Sequence, residues 1–103
     1  MTATRIPLCT LADLPVGLGR AFDLGGRRVA VFRTRTGRVF AVDGVCPHRG
    51  GPLADGMLAG EQVVCPYHAF RFDGTTGACD QPGVCSIATH PVEVAGGEVF
   101  VTV

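Results

Sequence analysis

Two short segments of this sequence each place a cysteine close to a histidine. The first reads CPH at residues 46–48, and the second reads CPYH at residues 65–68, after an interval of sixteen residues. Thiolate sulfur and imidazole nitrogen are common protein ligands of zinc, iron and copper. Each segment follows an apolar, strand-like run, so each is expected at the tip of a loop. Four such donors on two loops predict a metal site.

The order of the donors distinguishes two kinds of metal site. Zinc fingers usually pair the cysteines in one short motif and the histidines in another, whereas each segment in this chain offers one of each. A binuclear centre suits such mixed loops if one iron binds both thiolates and the other binds both imidazoles, as in a Rieske [2Fe–2S] centre. We therefore expect one Rieske cluster, with a single zinc ion as the alternative.

These motifs also carry a family resemblance. Over essentially its whole length, the chain resembles a Rieske-type ferredoxin, and the motif pair is specific to that family. The resemblance implies that Cys46 and Cys65 bind the inner iron of the cluster. It likewise implies that His48 and His68 bind the outer iron.

Residues next to the expected ligands resemble the low-potential, soluble branch of that family. Rieske proteins of cytochrome bc complexes have a disulfide between the two loops, whereas Gly51 and Tyr67 occupy the matching positions in this chain. Those proteins also use a serine and a tyrosine hydroxyl to hydrogen-bond sulfur, and Phe70 and Phe72 stand there instead. Because such donors stabilise the reduced cluster, we expect a midpoint potential near the low end of the Rieske range, about −150 mV.

The resemblance implies electron transfer, and we expect the chain to be non-catalytic on its own. The sequence has no Gly-rich dinucleotide fingerprint. His90 is the one histidine outside the two motifs, too few for the additional iron site of a Rieske oxygenase. One expectation is a ferredoxin component that carries electrons from a flavoprotein reductase to a terminal oxygenase. The other is the small subunit of an NAD(P)H nitrite reductase, docked on a large flavin- and sirohaem-bearing subunit, which residues 29–56 resemble slightly more.

Two other functions are compatible with the sequence. One is a zinc-stabilised binding module without redox activity. The other is a sensor that uses the redox state of a cluster to control a partner. Colour separates the zinc module from both cluster proteins, because a Rieske protein is red-brown and a zinc domain is colourless.

The runs around the motifs predict the elements that position them. "RAFDL", "RRVAVFRT" and "RVFAVDGV" are rich in Val and Phe and are separated by Gly25–Gly26 and "RTG", which indicates β-hairpins. "EQVV" reads as a strand before Cys65, and "ATHPVEV" and "EVFVTV" form a further hairpin around residues 95–97. We predict an all-β, Rieske-like antiparallel sandwich or barrel. It forms one domain, residues 1–103, with a loop-rich cluster-binding subdomain at about 44–85.

The composition limits the possible binding partners and the cellular compartment of the protein. Nine basic residues balance nine acidic ones, which argues against nucleic acid and anionic membrane as partners. No apolar run approaches the length of a membrane span, so we expect a soluble cytoplasmic protein. Five cysteines are an odd number, and a reducing compartment argues against a disulfide framework. Cys9, Cys79 and Cys85 lie outside the motifs and are interpreted as packed or idle thiols.

Overall fold

A computed structural model of the chain describes residues 5–45, 52–66, 71–79 and 86–102. The strands in these ranges are β1 (Arg5–Thr10), β2 (Gly19–Leu24), β3 (Arg27–Arg33), β4 (Val39–Asp43), β5 (Met57–Ala59), β6 (Gln62–Val64), β7 (Arg71–Asp73), β8 (Thr89–His90), β9 (Val92–Ala95) and β10 (Glu98–Thr102). Two single-turn 3-10 helices span Leu11–Asp13 and Leu53–Asp55. Within the same ranges, no helix has the length and apolar character needed to cross a membrane.

The described strands form three antiparallel sheets. Four strands in the order β2-β3-β4-β8 make the central sheet, and β1-β10-β9 and β5-β6-β7 make two three-stranded sheets. The prediction of an all-β antiparallel fold is confirmed. The two tight hairpins β2-β3 and β9-β10 turn at the Gly-Gly pairs identified in the sequence, and β3-β4 turns at "RTG".

The central sheet is buried on both faces, which is why β3 carries an unbroken apolar run. Alternate residues of a strand point to opposite sides of the sheet. Val29 and Val31 therefore join a core shared with β10, whereas Ala30 and Phe32 join a core on the other side. That second group, the loop-side core, comprises Ala30, Phe32, Phe40, Val42, Leu53, Ala54, Val63, Cys65, Phe72 and Ile87.

A glycine lets the β5-β6-β7 sheet approach the central sheet closely. The rings of Phe32 and Phe40 stack in the loop-side core with centroids 5.6 Å apart. A Cβ atom at Gly74, just after β7, would lie only 2.3 Å from the Phe40 ring. No side chain fits that space. Glycine at this position therefore allows the backbone at the end of β7 to lie against the Phe40 ring.

Two strands of the β5-β6-β7 sheet, β5 and β7, were not predicted from the sequence. Each has three residues, too few for a recognisable alternation, and neither has the adjacent valines that indicated the equally short β6. Both depend on pairing with β6, the strand that the sequence did indicate. The range predicted to be loop-rich thus contains a three-stranded sheet, β5-β6-β7.

Candidate metal centre

One of the four expected ligands, Cys65, lies in the described part of the chain. Cys46, His48 and His68 fall in the intervals 46–51 and 67–70, outside the described residues. The residues on either side of each interval are described. Cys65 and the bases of the two loops therefore define where the expected site lies.

Cys65 directly follows β6 and is 2% exposed. It is two residues beyond Val63, so both side chains point to the same face of the β5-β6-β7 sheet. Both residues belong to the loop-side core. The thiol forms no disulfide. A buried thiol at the end of a strand is held in one orientation by its neighbours, which is what a metal ligand requires.

The base of the first loop is closed by backbone pairing. Val45 and Pro52 form an isolated antiparallel bridge, and the Leu53 N–H donates to the Gly44 carbonyl at 3.0 Å. Leu53 is fully buried in the loop-side core. Residues 46–51 therefore leave and re-enter the fold at adjacent points, and the return point is anchored by an apolar side chain.

The second loop connects two paired strands. Val64 of β6 pairs with Arg71 of β7, and Val63 pairs with Phe72. The loop that follows Cys65 thus returns directly beside the strand it left. Phe72 is fully buried and occupies the same core as Cys65.

Close contact of backbones brings the two loop bases together. A Cβ atom built on Gly56 would lie 2.0 Å from the carbonyl oxygen of Val64, so the chain just after the first loop runs against the residue just before Cys65. Only glycine permits this approach. The structure therefore places the chain that follows the first loop beside the strand that leads to Cys65.

A third segment begins and ends beside the same sheet. Cys79 pairs with Phe72 in an isolated antiparallel bridge, so this segment leaves the described part of the chain beside β7. The Ile87 N–H donates to the Gly77 carbonyl at 2.9 Å, which fixes the point of return. Residues 80–85, which include Cys85, lie outside the described residues.

The donors present fit a [2Fe–2S] cluster of the Rieske type. Cys65 would supply sulfur from the buried side, and the two intervals 46–51 and 67–70 contain one more cysteine and two histidines. Within the described ranges alone, no three His, Cys, Asp or Glu side chains converge as a metal site. A complete site would therefore include residues outside the described ranges.

His90 has a structural partner that the sequence did not reveal. Its Nε2 lies 3.0 Å from Oδ1 of Asp43, and its side chain is 6% exposed. This buried, hydrogen-bonded position gives His90 a structural role in the central sheet. Nothing in the local sequence marks the pair, because the two residues are 47 positions apart.

The two other described cysteines lie in different environments. Cys9 is a half-buried residue of β1 that packs against the core on the β10 side of the central sheet. Burial first, and the nearby Asp13 carboxylate second, raise the pKa of its thiol, so it stays protonated and unreactive. Cys79 packs against the loop-side core. Both fit the expectation of packed thiols.

Comparison with known protein families shows that most of the chain matches a single family. The family described as Rieske [2Fe-2S] domain matches residues 4–91. The naphthalene 1,2-dioxygenase system ferredoxin component of Pseudomonas aeruginosa is 32% identical over 102 residues, which cover 98% of this chain and 97% of that protein. Cholesterol 7-desaturase of Xenopus laevis is 38% identical over 96 residues, but this chain spans only 21% of its length.

Comparison with solved structures finds similar folds over most or all of this chain. A protein of Mycobacterium tuberculosis described as an NADH-dependent nitrite reductase small subunit superposes with a TM-score of 0.91 at 28% identity, covering 100% of this chain and 97% of its own. A chain in the complex of reduced oxygenase and oxidized ferredoxin in carbazole 1,9a-dioxygenase gives 0.84 at 29% identity, covering 94% and 91%. The first likeness includes the loop bases described above, because it covers the whole chain.

Proposed function

Because this chain belongs to the Rieske [2Fe–2S] family, we propose that it is an electron carrier between a flavoprotein reductase and a terminal oxidoreductase. The one cluster of such a domain accepts and releases a single electron. The residues of the chain hold the cluster, set the polarity around it and form the surface that the partners contact.

The proposed ligands are the four residues of the two motifs. Cys46 and Cys65 would hold the inner iron, and His48 and His68 the outer iron. The observation that carries the proposal is the position of Cys65, a buried thiol at the base of the second loop, beside the chain that follows the first loop. Sulfur on the buried side leaves imidazole as the donor at the side that meets a partner.

The proposed acceptor is the large subunit of an NAD(P)H nitrite reductase. The support is a likeness to a nitrite reductase small subunit that includes every part of this chain. A second candidate, the ferredoxin component of a ring-hydroxylating dioxygenase, is favoured by the full-length match to such a component and by the ferredoxin–oxygenase complex. Stopped-flow mixing of the reduced protein with each purified acceptor separates the two, because only the true acceptor reoxidises it within a turnover time.

The residues that border the loops would contribute to the contact with either partner. Val45 is 48% exposed at the base of the first loop, and Pro66 and Arg71 are exposed on the two sides of the second. Apolar residues with a cation beside them suit brief, specific encounters between redox proteins. We also propose a cytoplasmic location, since NAD(P)H is available there and the described cysteines are free thiols.

Iron and sulfide analysis tests the proposal directly. Protein purified without oxygen is expected to contain two irons and two acid-labile sulfides per chain. Its broad visible spectrum should bleach with dithionite, and its reduced form should give a low average g value. A colourless protein with one zinc ion per chain would replace the electron carrier with a zinc-stabilised module.

A further inference from the structure

An exposed stripe crosses one face of the β5-β6-β7 sheet and ends beside the second motif-bearing loop. Four residues on neighbouring segments form it through direct backbone pairing. An antiparallel bridge joins Leu18 to Met57, and Met57 pairs with Val64. On its other side, Val64 pairs with Arg71. Because paired residues of antiparallel strands point to the same face, the four side chains lie in one row, which we call the outer stripe.

The residues one position away form an inward-facing row in the same sheet. Leu58 pairs with Val63 and Val63 with Phe72, and all three pack in or against the loop-side core. Since alternate residues of a strand point to opposite faces, the outer stripe faces away from that core. The exposed fractions agree: Met57 is 69% and Leu18 is 52% exposed, the two largest values among the large apolar residues that the structure describes.

The outer stripe adjoins the loop that contains two of the proposed ligands. Val64 directly precedes Cys65, and Arg71 directly follows the interval 67–70, which contains His68. Val64 and Arg71 pair with each other at the base of this loop. A protein that covers both residues therefore also contacts the base of the loop.

The outer stripe combines an apolar surface with one cation. Leu18, Met57 and Val64 are apolar, and Arg71 is exposed at the other end of the row. A groove of about 470 Å³ opens at the apolar end, and Leu18, Met57 and the half-exposed Val16 contribute to its lining. Several apolar side chains in one patch indicate an interaction surface. The groove suits an apolar side chain of a partner, and the guanidinium suits a carboxylate of the same partner.

We propose that the outer stripe docks the flavoprotein reductase that donates electrons to this chain, with an apolar side chain of the reductase in the groove and a carboxylate on Arg71. The inference rests on the proposed function, because it takes the chain to be a Rieske electron carrier. Each docking event transfers one electron. The two electrons of a reduced flavin therefore reduce two molecules of this chain, and the flavin protons pass to solvent.

Charge selects the electron donor as the occupant of the stripe. Two ferric ions, two sulfides and two thiolates sum to zero charge in an oxidised Rieske centre, and reduction adds one negative charge. A carboxylate on Arg71, next to the loop that contains His68, is therefore repelled by the reduced protein more than by the oxidised protein. A donor has to bind the oxidised protein and release the reduced one, whereas an acceptor has to do the reverse. An acidic partner at this position thus fits the donor.

Binding measurements with matched variants test the proposal. The oxidised, cluster-loaded protein is titrated with the purified NAD(P)H-dependent flavoprotein reductase of the same organism. Met57→Glu is expected to raise the dissociation constant about tenfold or more, because it places a charge in an apolar contact. Leu18→Glu should have the same effect. Leu18 lies two strand spacings, about 10 Å, from Val64, so this variant tests the stripe at a distance from Cys65.

Val94→Glu is the control, because it changes the net charge by the same amount. Val94 is 43% exposed on β9, which belongs to another sheet, so its substitution should leave the dissociation constant unchanged. Arg71→Glu is expected to weaken binding about tenfold or more, and Arg71→Lys to retain most of the affinity. Iron content and midpoint potential are measured for every variant, and affinities are compared among the variants with a full cluster.

The dependence of binding on redox state tests the choice of the donor. The parent protein is titrated with the reductase first in its oxidised form and then in its reduced form, after removal of excess dithionite. The oxidised form should bind about twofold more tightly or better, because one negative charge is absent from the vicinity of the contact. Equal or tighter binding of the reduced form would contradict the donor as the occupant.

Three further results would overturn the inference while the electron-carrier function stands. The first is that Leu18→Glu, with a full cluster, binds the reductase as tightly as the parent protein does. The second is weaker binding of the variants to the terminal acceptor but not to the reductase. The third is a dimer of the chain alone that Leu18→Glu converts to a monomer in light scattering, because a second copy would then cover the stripe. A parent protein without a cluster would refute the proposed function instead, so the two failures are distinguishable.

Discussion

His90 Nε2 and Asp43 Oδ1 lie 3.0 Å apart and join the last strand of the central sheet to the end of β4. The pairing of β4 with β8 is short, with two residue pairs, and the Asp43 N–H adds one hydrogen bond to the Ala88 carbonyl at 2.9 Å. Asp43 comes three residues before Cys46. The side-chain bond therefore stabilises the strand from which the first motif-bearing loop departs.

Removing the Asp43 side-chain oxygens should destabilise the protein more than replacing the carboxylate with an amide. Asp43→Ala leaves the buried His90 nitrogen without its partner, which costs about 1–3 kcal/mol of unfolding free energy. Asp43→Asn keeps an oxygen in reach and should lose less than half as much. Denaturant unfolding of the cluster-loaded variants measures both, and equal values for Asp43→Ala and the parent protein would show that the hydrogen bond is energetically idle.

A second pair of substitutions isolates a backbone contact at the third segment. Gly77 and Gly97 both have φ of +79°, but only at Gly77 would a Cβ meet an obstacle, the Ile87 carbonyl oxygen at 2.0 Å. Gly97→Ala should therefore cost about 1 kcal/mol for the left-handed conformation alone. Gly77→Ala should cost about 3 kcal/mol or more, because the clash is added. Similar midpoints for the two variants in denaturant unfolding would contradict the close approach.

The strands that could be predicted are those whose own residues and flanking turns carry the signal. The run from Val29 to Phe32 is apolar at every position because both faces of β3 are buried, and Gly pairs mark hairpins where φ must be positive. Candidate metal ligands could be proposed for a similar reason, since donor type and spacing can be read directly from the sequence. Each of these features needs no knowledge of distant residues.

Features that depend on long-range pairing were not predictable. The bond between His90 and Asp43 exists because β8 lies beside β4. Likewise, Leu18 is bridged to Met57, which lies 39 positions further along the chain. Neither contact leaves a periodic signal. The three-residue strands β5 and β7 form for the same reason, because β6 gives them a partner.

Acid should weaken the turn that follows β7. The Thr75 and Thr76 N–H groups donate to Asp73 Oδ1 at 2.7 and 3.0 Å, and these bonds lower the pKa of Asp73 below its ordinary value of 3.8. A carboxyl with a lower pKa in the folded state stabilises the fold above about pH 3.8, and this stabilisation is lost as the pH falls through the folded-state pKa. Asp73→Asn has no such titration.

The difference in melting temperature between the parent protein and Asp73→Asn is the measurement for that prediction. It should be constant from pH 5 to 7 and shrink as the pH falls below about 3.8. Asp13, whose pKa is also lowered by its hydrogen bonds with Thr10, is present in both proteins and cancels. A difference that stays constant down to pH 3 would show that the Asp73 carboxylate contributes nothing specific.

Substitution of the buried cysteine should abolish cluster binding. Cys65→Ser is expected to lose most of the iron, sulfide and visible absorbance, and part of the folding stability with them, since metal binding and folding are coupled. Cys9→Ser is the matched control, because Cys9 packs on the other side of the central sheet. Iron analysis and EPR measure the outcome, and a Cys65→Ser protein with a full cluster would remove Cys65 from the ligand set.

The aromatic residues near the ligands should keep the midpoint potential low. Phe72 is fully buried in the core that contains Cys65 and has no hydroxyl to donate to sulfur, so we expect a midpoint of about −150 mV. Phe72→Tyr would add a donor worth about 1 kcal/mol, which for one electron corresponds to a rise of about 40 mV. Phe22→Tyr, on the other side of the central sheet, should leave the potential unchanged. Redox titration of proteins with full iron content gives all three values, and a parent potential above zero would refute the assignment to the low-potential branch.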